Sequence, residues 1–402
     1  MKVLLVFGTR PEAIKLAPVL QEMQRRARDR DIHPVVCVTA QHRDMLDQVL
    51  GLFNIRPHYD LGIMTGGQTP IQVASAVLSK LEPILLKEQP DWVVVQGDTT
   101  TVAAAAIAAF YARSRVAHVE AGLRTYDKWQ PFPEEINRRI AGVVADLHFA
   151  PTERARQNLL KEGVQPANIM VTGNPVIDAV VQVSNSPPPA GLDTLIQGSR
   201  ATLPTGPLLV VTAHRRENHG ENMEAICSAL RRLASLYQDR VHIVYPVHPN
   251  PAVQRTVRRM LNNVHGVSLL PPLDYASLIH LLRRAYLVLT DSGGIQEEAP
   301  SLGVPVLVLR NVTERPEAVE AGTVRVIGTD TTRIVREVSR LLESAEEYRT
   351  IAHAVNPYGD GRASQRIVSA LLGEKVDPFV PCLGPIVTRV APFPRKQPQL
   401  AG

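Results

Sequence analysis

Short apolar runs alternate with helical stretches along most of the chain. Helical stretches such as Glu12–Arg25 and Thr101–Tyr111 lie between the runs. Because the runs are short and mostly β-branched, they are typical of parallel strands that are buried on both faces of a sheet. In the N-terminal half the predicted strands are Lys2–Phe7, Val35–Thr39, Trp92–Gln96, Val116–Val119 and Leu147–Ala150.

The C-terminal half repeats the alternation. Its predicted strands are Leu208–Thr212, His242–Pro246, Val267–Leu270, Tyr286–Thr290, Val306–Leu309 and Val324–Ile327. A stretch rich in Pro, Gly and Ser, residues 184–207, separates the halves, and we place the topological boundary slightly earlier, at residues 173–175. The pattern predicts an α/β protein of two doubly wound, Rossmann-like domains that face a cleft, residues 1–172 and 173–360. Residues 375–402 are Pro-rich with little periodicity, which predicts a flexible tail.

Bulk properties narrow the classes of function. No apolar run reaches the ~18 residues that span a bilayer, and Met1–Phe7 has no cleavage site after it, so we interpret it as a strand and predict neither membrane insertion nor a signal peptide. Three widely separated cysteines fit a reducing cytoplasm, and neither they nor the scattered histidines have metal-site spacing. An anionic small substrate explains the net charge of +5, and 4% aromatic residues leave few stacking platforms for nucleic acid.

The strand Tyr286–Thr290 leads into the most informative turn of the chain. Asp291-Ser292-Gly293-Gly294 follows it and begins a helix that carries Glu297 and Glu298. Two glycines allow close backbone approach, and the helix N-terminus offers unpaired N–H groups to an anion such as phosphate. A carboxylate one turn into that helix suits sugar hydroxyls. The segment therefore indicates a nucleotide or nucleotide-sugar site, with an ordinary strand-to-helix turn as the alternative.

Cations follow the first strand and the strand that opens the second half. Arg10 and Lys15 lie after Gly8, where a diphosphate is expected, unless they are solvated surface cations. The turn is neither a Walker loop nor a G-x-G-x-x-G fingerprint. His214 and Arg215 follow the strand Leu208–Thr212, and a histidine followed by arginines favours anion binding or proton transfer over a purely structural role.

Three carboxylates follow strands of the first half. Asp98 lies after Trp92–Gln96, Glu120 after Val116–Val119, and Glu134 shortly beyond. Grouped carboxylates raise one another's pKa, which suits acid–base work. For each residue alone, a helix cap or an ion pair is the structural alternative.

Together these segments make the chain closely resemble the non-hydrolysing UDP-N-acetylglucosamine 2-epimerases of bacteria and archaea. The resemblance implies a fold similar to glycosyltransferases of the B type, a homodimer, and a C-terminal helix at residues 361–374 that crosses back to the N-terminal domain. The motifs that carry it are FGTRPEAIKLAPV, QHRDMLDQVL, VQGDTTT, HVEAGLRT, PFPEEINRR, TGNPVIDA, TAHRREN, YPVHPNP, TDSGGIQEEAPSLGVPVLVLR, TERPEAV and NPYGDGRASQRI.

The implied reaction interconverts UDP-N-acetylglucosamine and UDP-N-acetylmannosamine for cell-surface polysaccharide synthesis. UDP leaves to give 2-acetamidoglucal and then adds back, with no metal or nicotinamide cofactor. By motif, the UDP contacts are Arg10, Lys15, Ser292, Gly293, Gly294, Glu298 and Arg315. The catalytic group is Asp98, Glu120, Glu134 and His214. A regulatory UDP-N-acetylglucosamine site is implied at Gln41, His42, Gln68, Arg215 and His248, although a basic residue that some members carry before the glutamine is replaced by Gly67.

Three other functions compete with this one. The hydrolysing epimerases, which release free N-acetylmannosamine, usually have Gly-Asp-Arg where this chain has Gly97-Asp98-Thr99. A glycosyltransferase of similar fold does not normally need three carboxylates and a histidine. A catalytically silent nucleotide-sugar sensor would tolerate loss of the carboxylates, which this chain keeps.

Overall fold

A computed structural model describes residues 1–40, 43–197, 206–381 and 386–387. The chain divides into two compact units. The first consists of Met1–Ala179 together with Pro357–Pro381, and the second is built around Val180–Asn356. The predicted domain limits differ slightly from this division and stay predictions. Gln41, His42 and the tail from residue 388 lie outside the described residues.

In the described part of the first unit, seven parallel strands form one sheet in the order β3-β2-β1-β4-β5-β6-β7. The strands are β1 (Lys2–Phe7), β2 (His33–Val38), β3 (Tyr59–Asp60), β4 (Trp92–Gln96), β5 (Arg115–Val119), β6 (Leu147–Ala150) and β7 (Ile169–Val171). The helices are α1 (Arg10–Arg26), α2 (Arg43–Leu52), α3 (Pro70–Glu88), α4 (Thr100–Tyr111), α5 (Glu134–Val144), α6 (Glu153–Lys161) and α7 (Pro175–Ser184), the last of which runs into the second unit.

In the described part of the second unit, six parallel strands have the order β10-β9-β8-β11-β12-β13. They are β8 (Leu208–Thr212), β9 (His242–Pro246), β10 (Val267–Leu270), β11 (Leu287–Thr290), β12 (Val306–Val308) and β13 (Val324–Val326). The helices are α8 (Leu192–Gln197), α9 (Glu221–Tyr237), α10 (Pro251–Leu261), α11 (Tyr275–Arg284), α12 (Gly293–Ser301), α13 (Pro316–Glu320), α14 (Thr331–Glu343) and α15 (Ala345–Ala352).

The central strands are apolar on both faces because helices cover both faces of each sheet. β4 and β8 are buried along their whole length, as the continuous apolar runs predicted. The prediction of two doubly wound, Rossmann-like α/β domains is confirmed. The pattern missed β3 and β7, which have only two and three residues and are too short to show a period.

In both units the strand order reverses beside the first strand. β1 lies between β2 and β4, and β8 lies between β9 and β11. In a doubly wound sheet, the loops that leave the carboxyl ends of such strands diverge to opposite faces and leave a crevice for a ligand. The segments after β1, β4, β8 and β11 are therefore the places in each unit where a ligand is expected.

The last helix, α16 (Ala363–Leu371), belongs to the first unit and packs against α1. The buried carboxylate of Asp178 accepts hydrogen bonds from the backbone N–H of Ala363 at 3.1 Å and of Ser364 at 2.8 Å, so it caps the start of α16. Arg366 forms a two-pronged ion pair with Asp360 at 2.7 Å. The first of these contacts attaches the C-terminal segment to α7, and the second holds the segment together internally.

The described residues contain neither a membrane-spanning helix nor a metal-binding cluster. No helix there is long and apolar enough to cross a bilayer. No group of three or more His, Cys, Asp or Glu side chains there is arranged to hold a metal ion.

Candidate active site

Glu120 lies at the centre of a buried polar network in the first unit. It follows β5 with φ at +65°, a left-handed conformation that is costly for a residue other than glycine and is concentrated at functional sites. Lys15 Nζ lies 2.5 Å from its Oε2, and Gln96 Nε2 also donates to Oε2. Asn174 Nδ2 donates to Oε1 at 3.3 Å. Side chains from three other segments of the unit thus hold one carboxylate in place.

Asp98 lies on the turn between β4 and α4, but it does not cap the helix. The N-cap is Thr99, whose hydroxyl accepts the N–H of Val102 at 3.3 Å. The Asp98 carboxylate is instead paired with Arg138, and Asn137 Nδ2 donates to the Asp98 backbone carbonyl at 3.1 Å. The helix-cap alternative for Asp98 is therefore wrong, and an ion pair takes its place.

Glu134 begins α5 and lines a cavity of about 260 Å³. Its Oε2 is buried and has no hydrogen-bond partner among the residues that the structure describes. Such an unsatisfied carboxylate oxygen is rare in a folded protein, and a donor group of a polar ligand in the cavity would satisfy it. The other lining residues are Thr9, Gln68, Pro70, Val73, Thr99, Thr100, Pro133 and Asn137.

The turn after β1 already holds a carboxylate from its own helix. Glu12 accepts the backbone N–H groups of Gly8 at 2.9 Å and Thr9 at 2.6 Å, and Thr99 Oγ1 donates to it at 2.7 Å. Burial raises the pKa of Glu12, and these donors oppose the rise. The backbone N–H groups of Gly8 and Thr9 at this turn are thus already occupied by Glu12. Arg10 lies at the first position of α1 and is half-buried.

In the second unit, the loops after β8 and β11 are joined by one buried carboxylate. Asp291 Oδ2 accepts the backbone N–H groups of His214 and Arg215, each at 2.8 Å, and Asn218 Nδ2 at 2.9 Å. The rings of His214 and His248 are stacked, with centroids 5.0 Å apart and planes 12° from parallel. Burial lowers the pKa of His214, while the charge of Asp291 opposes the change. His214 is therefore mostly neutral above pH 7.

Two guanidinium groups lie at the start of α12. A Cβ atom on Gly293 would be 3.5 Å from Arg215 Nη2 and 3.9 Å from Arg315 Nη2, so both arginines border this turn. Ser292 is the N-cap, and its side chain caps no N–H group of the helix. Positive side chains and a helix N-terminus that share one glycine turn make a favourable environment for a diphosphate.

Carboxylates balance the charge of these arginines. Arg315 is paired with Glu297, and Arg215 Nη1 lies 3.3 Å from Glu314 Oε1. Burial alone would raise the pKa of Glu314, but neighbouring arginines hold it below its usual value. Glu298, the expected ribose contact, is buried on α12.

The implied regulatory residues fall in both units, and two of them, Gln41 and His42, lie outside the described residues. Gln68 lines the cavity beside Glu134, and its side chain also closes the preceding turn by donating to the Ile63 carbonyl at 2.7 Å and accepting the Thr65 N–H at 3.0 Å. Arg215 and His248 lie in the second unit, next to Gly293 and His214 respectively. The regulatory site stays a prediction.

Comparisons with known proteins show which family the chain belongs to. A family model described as UDP-N-acetylglucosamine 2-epimerase matches residues 24–372. A UDP-N-acetylglucosamine 2-epimerase of Escherichia coli O157:H7 is 53% identical over 380 residues, which cover 94% of this chain and 100% of the relative. The chain belongs to the UDP-N-acetylglucosamine 2-epimerase family.

Solved structures of the epimerase family extend the likeness to the fold. A UDP-GlcNAc 2-epimerase from Neisseria meningitidis bound to UDP-GlcNAc has a TM-score of 0.85 and 46% identity, covering 93% of this chain and 100% of that one. The S. aureus MnaA–UDP co-structure has a TM-score of 0.84 and 43% identity, covering 94% and 100%. The predicted family and fold class are thus confirmed, and the role of each site residue stays a prediction.

Several residues of this epimerase family member that contact or neighbour the predicted site residues were not predicted from the sequence. They were overlooked because amides, a helix carboxylate and a buried histidine carry no distinctive spacing of their own. All lie next to predicted site residues or in the same motifs, which is the signal that could have found them. They are Glu12, Gln96, His118, Asn137, Arg138, Asn174 and Asp291.

Proposed function

We propose that this protein interconverts UDP-N-acetylglucosamine and UDP-N-acetylmannosamine without hydrolysis. UDP leaves carbon 1 to give 2-acetamidoglucal, and then adds back while a proton returns to the other face of carbon 2. Family membership supports the substrate class. The observation that carries the chemistry is the carboxylate of Glu134, which has a buried oxygen without a partner at the wall of a cavity.

The substrate explains why the site needs both carboxylates and cations. The hydrogen on carbon 2 is not acidic, because no carbonyl adjoins carbon 1. Breaking the bond from carbon 1 to UDP develops positive charge at carbon 1 and makes that hydrogen removable as a proton. Asp98, Glu120 and Glu134 would move the proton, and the ammonium of Lys15 lies 2.5 Å from Glu120 Oε2.

The departing diphosphate needs positive charge and N–H donors. The start of α12 at Ser292, Gly293 and Gly294, together with Arg315, would bind it, and Glu298 would bind the ribose hydroxyls. Arg10 and Lys15 would support it from the first unit. His214 would donate to the diphosphate or exchange a proton with it. No metal or nicotinamide takes part in this scheme.

We further propose that the protein acts in the cytoplasm as a homodimer that supplies cell-surface polysaccharide synthesis. A second UDP-N-acetylglucosamine would bind at the site implied for Gln41, His42, Gln68, Arg215 and His248. The buried free thiols of Cys37 and Cys227 are compatible with a reducing compartment. Sedimentation of the purified protein, with and without UDP-N-acetylglucosamine, tests the dimer.

One experiment separates this activity from its rivals. The protein is incubated with UDP-N-acetylglucosamine in heavy water and followed by NMR. We expect UDP-N-acetylmannosamine with deuterium at carbon 2. Accumulation of free N-acetylmannosamine and UDP would identify a hydrolysing enzyme, and binding of UDP without turnover would identify a sensor.

A matched pair of variants tests the role of the carboxylates. Asp98→Asn should lower turnover by about 10²-fold or more, the usual contribution of a general acid or base, while UDP still binds. Glu153→Gln removes an exposed carboxylate at the start of α6 and should turn over like the parent protein. Full turnover by Asp98→Asn would remove this residue from the catalytic group.

A further inference from the structure

Asp291 is an unusual carboxylate, because one of its oxygens is crowded with donors and the other is not. The side chain is completely buried. Oδ2 accepts three N–H groups from the loop after β8, whereas Oδ1 has no hydrogen-bond partner within the described residues. The ring of His214 lies beside Oδ1, with Nδ1 at 3.4 Å.

The position of Asp291 is fixed by the sheet. Thr290 pairs with Thr212 in neighbouring parallel strands, so Asp291 leaves β11 beside the start of the loop that carries His214. The two threonine hydroxyls are 2.7 Å apart, and the Asp291 backbone N–H donates to the Thr212 carbonyl at 3.1 Å. A buried carboxylate on such a rigid support is suited to orienting another side chain.

The ring of His214 is fixed in its plane as well. It stacks on His248, with planes 12° from parallel, which leaves the ring little freedom to tilt. Nδ1 and Nε2 lie on opposite edges of an imidazole. A ring that turns Nδ1 towards Asp291 therefore turns Nε2 away from the buried carboxylate. A gap of 3.4 Å exceeds an ordinary hydrogen bond by a few tenths of an ångström, and catalytic hydrogen bonds often tighten when the substrate binds.

We propose that Asp291 is a positioning residue that holds His214 with its proton on Nδ1 and leaves Nε2 to face the diphosphate. A neutral imidazole carries one N–H proton, and the hydrogen-bond partners of the ring decide which of its two nitrogens carries it. An ionised carboxylate only accepts hydrogen bonds, so it selects Nδ1–H. Nε2 is then free to take up a proton from solvent, to give it to the diphosphate oxygen as the bond to carbon 1 breaks, and to take it back when UDP adds again.

The surroundings of the His214 ring favour its neutral form, which is the form that has two tautomers. Burial lowers the pKa of His214, and Arg215 and His219 act in the same direction, while Asp291 and Glu217 oppose them. His214 is therefore mostly neutral above pH 7, where the two tautomers compete. This assignment rests on the proposed epimerase reaction for its purpose but not for its geometry.

The decisive substitution is Asp291→Asn. An asparagine oxygen can take the place of Oδ2 and keep the three donors, but its amide then presents N–H to His214. An N–H donor requires an unprotonated Nδ1, so the proton moves to Nε2. We expect kcat to fall by about 10²- to 10⁴-fold, the range of general acid–base catalysis, with KM changed less than about threefold.

The matched control is Asn218→Ala. Asn218 donates to Asp291 Oδ2 and to the Leu309 carbonyl at 3.1 Å, so its loss disturbs the same loop without touching Oδ1. The expected result is an unchanged tautomer and a much smaller loss of kcat. Equal losses of kcat in both variants would reduce Asp291 to a loop anchor and overturn the proposal.

The tautomer is measured directly by NMR with ¹⁵N-labelled histidine, and His214→Gln assigns the signal. The wild-type protein is expected to show Nδ1–H, and Asp291→Asn to show Nε2–H. Nε2–H in the wild type, or no change in the variant, would overturn the proposal. This measurement needs no substrate, so it stands even if the protein lacks epimerase activity.

Discussion

Acid should destabilise the first unit through one histidine that the fold keeps uncharged. His118 on β5 is completely buried, and its Nε2 lies 2.7 Å from the Gly97 carbonyl, next to Asp98. Burial lowers the pKa of His118 to about 3, and the neighbouring charges of His148 and Arg124 act in the same direction. The imidazole is therefore neutral in the folded protein, and it orients the turn that carries Asp98.

The sign and size of the effect follow from the two pKa values. Between pH 6.5 and about pH 3 the unfolded chain binds a proton at this residue and the folded chain does not, so stability falls as the pH falls. From pH 7 to pH 5 this linkage lowers the free energy of unfolding by about 2 kcal/mol. His148 on β6 adds a loss of its own, because burial lowers its pKa to about 4.

The chain offers a convenient assay, because both of its tryptophans, Trp92 and Trp129, belong to the first unit. Urea unfolding is followed by tryptophan fluorescence at pH 7 and pH 5 for the wild type and for His118→Gln. The wild type should lose about 2 kcal/mol more than the variant between the two pH values. Val116→Ala changes the core on the same strand and removes no titrating group, so its stability should fall below that of the wild type by the same amount at pH 7 and at pH 5. Identical pH dependence in wild type and His118→Gln would refute the reasoning.

Two further predictions concern buried contacts of the first unit. Lys15→Met leaves Glu120 as a buried charge without its ammonium and should lower the free energy of unfolding by about 3 kcal/mol. The double variant Lys15→Met with Glu120→Gln should recover most of this loss in urea unfolding and still lack epimerase activity. A double variant as unstable as Lys15→Met would contradict the ion pair. Gly122→Ala would place a Cβ atom 2.2 Å from the Ala155 carbonyl oxygen and should abolish soluble expression. Gly163 has a similar positive φ but no atom within 4 Å of an added Cβ, so Gly163→Ala should lower the free energy of unfolding by only about 1–2 kcal/mol in the same assay. Equal behaviour of the two variants would contradict the steric argument.

The sequence predicted the strands well where they are long and apolar. Lys2–Phe7, Trp92–Gln96 and Leu208–Thr212 have the limits that the pattern predicts, because a strand buried on both faces must be apolar throughout. β3 and β7 were not predicted, because they contribute too few residues for a pattern.

The partners of the site residues were much harder to predict than their positions. Lys15 was expected at a diphosphate, but in the structure it contacts Glu120, 105 residues away in sequence. Only the sheet order, which places β1 beside β4 and β4 beside β5, brings their segments together. Thr99 rather than Asp98 caps α4, a one-residue choice between two good capping residues that the sequence leaves open.

The division of the chain into units also has a consequence for its synthesis. The first unit needs residues 357–381 for α16 and its contacts with Asp178, whereas Val180–Asn356 is one continuous segment. Domains generally fold as units while the ribosome delivers the chain at about 5–20 residues per second. The segment Val180–Asn356 is therefore delivered before residues 357–381, and the first unit must wait in an incomplete state until those residues have emerged.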